Sequence, residues 1–134
     1  MFLNYLEEDN KERFLKVCIH AALANGLFEE EEKDMLGAYC REMDIEEHIP
    51  ETSESFDKLL KEIFDNATMV ERKIFTLEVL ALVQADGVYD EDEKNFMEKL
   101  TSNLGISDDI LLKLNGLLEK YLEVGADMYS LIFE

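Results

Sequence analysis

The chain has 134 residues, of which 32 are acidic and 13 are basic, so its formal net charge is −19 with histidine neutral. Apolar residues make up 47% of the chain, which excludes a disordered acidic tail and is enough for a hydrophobic core in one domain spanning residues 1–134. Nucleic acids and anionic membranes are bound through clustered Lys and Arg, so neither is expected as a direct partner. A surface of this kind attracts cations, either metal ions or basic patches on other proteins.

The amino-terminal segment, MFLNYLEEDNKERF, carries acids where a secretory signal would have basic and then apolar residues. The longest apolar run, residues 79–83, is far shorter than the roughly 20 residues that span a bilayer. We therefore expect a cytoplasmic protein that does not insert into membranes. Cys18 and Cys40 are expected to be buried, reduced thiols, because two cysteines without a CxxC pair form neither a disulfide framework nor a zinc site.

Apolar side chains recur at spacings of three and four along most of the chain, and no sustained two-residue alternation is present. Pro50 is the only proline. The pattern predicts an all-α, single-domain bundle of about seven helices with short connections. The predicted helices cover residues 2–8, 10–25, 29–44, 54–66, 69–86, 90–104 and 108–132, and Gly125 is a candidate break in the last one.

Local sequence also marks where several helices begin. A capping residue followed three positions later by an acid can satisfy the unpaired amides of a first helical turn. Residues 70–85 are apolar nearly all round and are predicted to form the central buried helix. The candidate caps are Asp9 with Glu12, Thr68 with Glu71, Asp90 with Glu93, and Ser107 for the last helix.

The sequence repeats itself with an offset of 61 positions. The segment CIHAALANGLFEEEEKDML, which begins at Cys18, matches VLALVQADGVYDEDEKNFM, which begins at Val79. Each unit reads as an apolar helix, a turn at Gly26 or Gly87, an acidic cluster and a second amphipathic helix. We therefore predict two pseudo-symmetric helix–turn–helix halves, with repeat units at about 10–45 and 71–106, packed around a pseudo-twofold axis.

The acidic turn after Gly87 has two interpretations. In the structural one, the glycine ends one helix in a left-handed conformation and the acids cap the next helix, which needs no ligand. In the functional one, Gly87 is the sixth position of a calcium loop, although the first and third positions lack the acids that such a loop requires. Calcium or magnesium then fits the oxygen ligands better than zinc. The candidate metal ligands are Asp86, Asp90 and Glu93, with Asn25, Glu29 and Glu32 as a weaker second set.

The two units, above all ALVQADGVYDEDEKNFMEKLTSNLGIS, resemble the TerB-like family, and the likeness covers residues from Asn10 to Ser107. The resemblance implies an all-α bundle of about seven helices built from two similar halves. It also implies a cytosolic, non-enzymatic module that is linked to tellurite resistance and stress response. Family members carry a surface cluster of acids proposed to bind metal ions, and they work beside membrane-associated protein partners such as TerC. The first turn departs from the family pattern, because Asn25 stands where the second turn has Asp86.

The carboxyl-terminal segment VGADMYSLIFE concentrates apolar side chains at the end of the chain. One interpretation is a last helix that closes the core. The other is an exposed patch, formed by Met128, Tyr129, Ile132 and Phe133, that docks a protein partner or a second copy in a homodimer.

Three hypotheses about function follow. The first is a binding module that holds a divalent cation, a protein partner, or both through its acidic turns. The second is a protein–protein interaction adaptor without a metal. The third, a small enzyme that uses paired carboxylates, is the least favoured, because the sequence carries no zinc-protease, phosphate-loop or nucleophile-elbow motif.

Overall fold

A computed structural model describes residues 1–24, 26, 29–85 and 87–134. All regular secondary structure in this part of the chain is helical, which confirms the predicted all-α class. Six α-helices follow a short 3-10 turn at Leu3–Tyr5. They are α1 (Glu8–Ala24), α2 (Glu30–Glu42), α3 (Phe56–Asn66), α4 (Met69–Val83), α5 (Glu91–Asn103) and α6 (Asp108–Phe133).

The amino-terminal segment differs from the prediction. The helix expected at 2–8 is only the 3-10 turn, and α1 begins at Glu8, so Asp9 lies inside the first helical turn and does not cap it. The Asp9–Glu12 capping pair was therefore wrong. The physical reason is a long-range contact, because the amide of Glu7 donates to the carboxylate of Glu71 at 2.9 Å and fixes the residue before the helix.

The other predicted caps are confirmed. Thr68 Oγ1 accepts from the amide of Glu71 at 3.2 Å, and Ser107 Oγ accepts from the amide of Ile110 at 3.2 Å. These pairs depend only on neighbours in the sequence, which is why the sequence was sufficient to identify them.

Helices α1 and α4 form the centre of the bundle. Helix α1 packs against α2, α3, α4 and α5, whereas α4 packs against α1, α5 and α6. Helix α4 is buried on most of its surface, as predicted, although it ends at Val83 and not at residue 86. The rings of Phe14 and Phe75 are fully buried between the two central helices and meet edge to face, with centroids 5.7 Å apart.

Helices α2 and α5 end in the same way. Asp44 after α2 has a φ of 56°, and Gly105 after α5 has a φ of 68°. In each case the amide of the next residue donates to the carbonyl five residues earlier, which is the bond of a Schellman motif. The amide of Ile45 donates to the carbonyl of Cys40 at 3.0 Å, and that of Ile106 donates to the carbonyl of Thr101 at 2.9 Å.

Only the first half of helix α6 packs against the bundle. The helix runs unbroken through Gly125, so the predicted break was wrong, and Leu118 is its one buried residue. The side-chain amide of Gln84, the residue that caps the end of α4, donates from Nε2 to Asn115 Oδ1 on α6 at 2.6 Å. Beyond that point α4 offers no further surface, and residues 119–134 are all exposed. The second half of α6 therefore does not close the core.

None of the helices in the part of the chain that the structure describes is both long and apolar enough to cross a membrane.

Candidate functional site

The second acidic turn is a complete helix-to-helix junction. Gly87 has a φ of 83°, and its amide donates to the carbonyl of Gln84 at 3.0 Å, in the left-handed region that glycine adopts most easily. Asp90 then caps α5 through a capping box: its Oδ1 accepts from the amide of Glu93 at 2.8 Å, and Glu93 Oε1 accepts from the amide of Asp90 at 3.1 Å. The predicted capping role of both acids is confirmed.

The first acidic turn, 61 positions earlier, also contains a glycine with positive φ. Gly26 has a φ of 116°, and its amide donates to the carbonyl of Leu23 at 3.0 Å. Glu29 stands at the N-cap of α2, and its amide donates to Glu32 Oε2 at 3.1 Å. The two turns therefore place Glu32 and Glu93 at the same helical position, the third residue of α2 and of α5.

The two turns border one cleft of about 410 Å³. Glu31 and Glu32 from the first turn of α2 line it together with Glu93 from the first turn of α5. The sequence left open whether the turns were neighbours, and the packing of the helices answers that question. The remaining walls are mainly apolar and comprise Cys18, Ala21, Ala22, Met35, Leu36, Tyr39, Leu82, Val83 and Ala85.

The carboxylates of the cleft differ in exposure. Glu93 is 94% buried (6% exposed), Glu32 is half-buried and Glu31 is exposed. The cleft is thus lined by apolar side chains and by three glutamates, of which Glu93 is the most buried. A ligand with an apolar body and a positive end is chemically complementary to it.

Two titratable side chains that line the cleft, Cys18 and Tyr39, both have raised pKa values. Burial, and then the field of Glu78, raise the pKa of the Cys18 thiol well above its ordinary value. Burial, and then the nearby Cys18 and Glu78, also raise the pKa of the Tyr39 hydroxyl. Both groups are therefore protonated at neutral pH, and a protonated buried thiol is a poor nucleophile.

The predicted metal ligands are only partly described. Asp86 and Asn25 lie outside the described residues, and Asp90 and Glu29 are exposed N-cap residues that do not line the cleft. Among the residues that the structure does describe, no three His, Cys, Asp or Glu side chains are grouped so that they could hold a metal ion.

The cleft brings in residues that the sequence did not single out. Glu31 and Tyr39 line it, and neither was a candidate, because the repeat identifies equivalent positions but not which helices meet. The spacing of Glu31 and Met35 by four residues on α2 was a usable signal, since such residues share one side of a helix.

The predicted partner-binding residues of the carboxyl terminus lie elsewhere. Met128, Tyr129, Ile132 and Phe133 are exposed on the second half of α6 and are not part of the cleft. The rings of Tyr129 and Phe133 lie 4.7 Å apart, which is the contact expected for residues four apart on one helix.

Comparison of the chain with protein-family models, with curated proteins and with solved structures gives no match. In the part of the chain that the structure describes, the fold is all-helical and the site is a mainly apolar cleft that three glutamates also line.

Proposed function

We propose that the protein is a cytoplasmic, non-enzymatic binding module that engages a protein partner through the cleft between its two acidic turns. One observation carries this proposal: Glu31, Glu32 and Glu93 line a cleft whose remaining lining is mainly apolar. A Lys or Arg side chain fits such a cleft, because its aliphatic stem packs on the apolar lining residues while its charged end reaches the carboxylates. The net charge of −19 favours the approach of a basic partner.

The proposed partner segment is therefore basic and apolar, in a protein that is either soluble or membrane-associated. A screen of random peptides against the full chain tests this idea. We expect selected peptides to combine Lys or Arg with neighbouring large apolar residues, and we expect their affinity to fall as salt is raised. Selection of acidic peptides, or of none, would contradict the proposal.

Two triple variants that remove the same number of charges test whether the cleft itself binds the partner, or whether the acidic surface in general does. Glu31→Gln, Glu32→Gln and Glu93→Gln together remove three charges from the cleft, and glutamine at the third helical position retains the capping box. The matched control removes three charges from the same two helical turns outside the cleft: Glu30→Gln, Glu91→Gln and Asp92→Asn. Equal loss of peptide affinity in both triple variants would show that the cleft has no special part.

A divalent cation at the second turn is the other candidate function. It is supported by the capping box, which holds the carboxylates of Asp90 and Glu93 on one turn, three and six residues after Gly87. The proposed ligands are Asp86, Asp90 and Glu93, and calcium or magnesium is the expected ion. A cation that binds only the folded state raises the midpoint of thermal unfolding.

Thermal melts with calcium, magnesium, manganese or zinc test that candidate. Asp90→Asn is the diagnostic variant, since asparagine caps a helix about as well as aspartate and leaves the metal-free midpoint nearly unchanged. A rise that Asp90→Asn abolishes supports the site, whereas no rise with any of the four metals contradicts it.

We also infer that the domain consists of two copies of one unit, related by a pseudo-twofold axis. Residues on such an axis contact their own equivalents. Two pairs at the repeat offset of 61 support this inference: Phe14 contacts Phe75, and the side-chain amide of Asn10 donates to Glu71 at 2.9 Å. The matching turns at Gly26 and Gly87 agree with it.

We also propose that the protein is related to the TerB-like family. This relationship is supported by the all-helical fold and by the two equivalent acidic turns. The role in tellurite resistance or another stress response rests on the resemblance alone. Growth of a deletion strain with and without tellurite tests it, with complementation by the cleft variant and by its matched control.

A further inference from the structure

The apolar side of α6 continues after the helix has left the bundle. Gln84 at the end of α4 bonds to Asn115, and Leu118 is the last residue of α6 that the bundle buries. Residues 119–133 then form roughly 22 Å of helix at 1.5 Å per residue. Most of the stability of a helix in a protein comes from packing of its apolar side, and no part of this segment is buried.

The exposed segment has one apolar side and one polar side. At 100° per residue, Gly125 lies in the middle of the apolar side, in line with the buried Leu118. We call this surface the α6 face, defined by Tyr121, Leu122, Gly125, Met128, Tyr129 and Ile132. The opposite side carries Glu119, Lys120, Glu123, Asp127 and Ser130, together with the exposed Leu131 and, at its edge, Val124.

The exposed area is in the range that a stable interface needs. Tyr121, Tyr129 and the adjacent Phe133 expose 61%, 62% and 69% of their surfaces. At roughly 150–250 Å² for an aromatic residue, these three alone expose roughly 300–500 Å². A specific interface buries roughly 800 Å² per partner, and the aliphatic members of the α6 face supply much of the remainder. Monomers rarely expose so large a continuous apolar patch.

The α6 face is self-complementary about Gly125. Tyrosines stand four residues before and four residues after it, at Tyr121 and Tyr129. Leu122 and Met128 stand three residues before and after. In two antiparallel helices that cross at Gly125, each of these four residues meets the one at the same distance on the other side, which is the condition for a twofold interface between identical chains.

Gly125 itself has no packing role within one copy. A Cβ placed there would meet nothing within 4 Å. Glycine weakens a helix interior, so its presence in the centre of the face calls for a reason. At a helix crossing, the missing side chain lets the two backbones approach closely, which is the use that close-packed helix pairs make of glycine.

We propose that the α6 face is covered by the α6 face of a second copy, in an antiparallel, twofold dimer that crosses at Gly125. Tyr121 then packs against Tyr129 of the second copy, and Leu122 packs against its Met128. Each copy carries a net charge of −19, so the two repel at low ionic strength. The association therefore strengthens as salt is raised, opposite to the salt dependence of the basic peptide in the cleft.

Analytical ultracentrifugation of the full chain across a wide concentration range tests the dimer. Tyr129→Asp places a charge in the face, and Ser130→Asp places the same charge one residue away on the polar side. Both positions are exposed, so neither change touches the core. We expect Tyr129→Asp to raise the dissociation constant roughly thirtyfold or more, and Ser130→Asp to change it much less.

Disulfide formation tests the orientation, since Cys18 and Cys40 are buried. When the Tyr121→Cys and Tyr129→Cys variants are mixed, we expect a disulfide between the two different variants. It should form in preference to a disulfide between two copies of the same variant. Preferred homodimers would indicate parallel helices and overturn the antiparallel pairing.

A chain that is monomeric at every concentration and salt level overturns the proposal, and leaves the α6 face to a different protein. So does a dimer that both aspartate variants weaken equally. Circular dichroism melts of each variant verify that the fold is retained. A failure of this proposal leaves the cleft unaffected, because none of its residues belongs to the α6 face.

Discussion

Phe14 and Phe75 lie 61 positions apart, which is the offset of the sequence repeat, and their rings meet each other at an angle of 88°. Both are fully buried, one on each central helix. We expect Phe14→Leu and Phe75→Leu each to lower the free energy of unfolding by about 1–3 kcal/mol. The double variant is expected to lose less than the sum, because an edge-to-face pair contributes about 0.5–1.5 kcal/mol beyond burial.

Urea unfolding of the wild type, the two single variants and the double variant measures this coupling. Phe14→Leu combined with Leu118→Val, which lies on α6, is the comparison pair and should be additive. A coupling no larger than in the comparison pair would contradict a direct contribution of the ring contact.

Asp44 follows α2 and Gly105 follows α5 with similar φ values, but only one of them is glycine. A left-handed conformation costs a residue with a Cβ about 1–2 kcal/mol, and glycine gives part of that back through the greater entropy of the unfolded chain. Asp44→Gly is therefore expected to stabilise the protein by about 0.5–1 kcal/mol. Asp44→Ala, which keeps the Cβ, should give no such gain, and equal stabilisation by both changes would point to the lost charge as the cause.

Gly105→Ala should have the opposite effect. Besides the unfavourable φ, an added Cβ would come within 3.1 Å of the Arg72 side chain and 3.3 Å of the Phe64 ring. Arg72 Nη1 also donates to the carbonyl of Leu104 at 2.7 Å, so it is held at that position. We expect a loss of at least about 1–2 kcal/mol in urea unfolding. A neutral result would contradict both the cost of the positive φ and the cost of the contacts with Arg72 and Phe64.

The sequence could predict those parts of the fold that depend on near neighbours. Thr68–Glu71 and Asp90–Glu93 are capping boxes because the partners are three residues apart. The start of α1 was missed because it depends on Glu71, 64 positions from Glu7 in the chain. No local pattern carries information about such a contact.

In the candidate site, too, local features could be predicted from the sequence and long-range contacts could not. Gly26, Gly87 and the acids after them could be recognised from the repeat. That Glu32 and Glu93 border one cleft depends on how the helices pack, which spacing along the chain does not determine. On α6, the apolar pattern is the same before and after Leu118. Periodicity identifies a face of the helix but not whether α4 is long enough to cover it.

Glu71 joins the amino-terminal segment to the centre of the bundle. Its buried carboxylate accepts from the amide of Glu7, the side chain of Asn10, and the amide and hydroxyl of Thr68. Burial opposes the charge of Glu71, but these hydrogen bonds outweigh it and lower the pKa of the carboxyl below its ordinary value of 4.5. A lowered carboxyl pKa stabilises the fold above pH 4.5, and that contribution is lost as the pH falls through the folded-state pKa.

Glu71→Gln is accordingly expected to lower the free energy of unfolding at neutral pH by about 1.5–3 kcal/mol. The difference from the wild type should shrink as the pH falls below 4.5, because the unfolded wild type then takes up a proton that the folded carboxyl takes up only at lower pH. Urea unfolding between neutral and acidic pH measures it. Glu98→Gln, an exposed change on α5, corrects for the general effect of removing one negative charge. A difference that stays constant with pH would mean that the charge of Glu71 is not what stabilises the contact.

Leu118 and Leu122 stand on the same side of α6, four residues apart, and differ mainly in what covers them. Leu118 is 2% exposed and Leu122 is 47% exposed. At a protein concentration low enough to keep the chain monomeric, Leu118→Ala should lower the free energy of unfolding by about 2–5 kcal/mol, as expected for a buried leucine. Leu122→Ala should change it by less than about 0.5 kcal/mol, as for an exposed site. Repeating both melts at high concentration adds the contribution of self-association, which Leu122→Ala weakens directly. Equal effects of the two substitutions in the monomer would mean that the second half of α6 folds back onto the bundle.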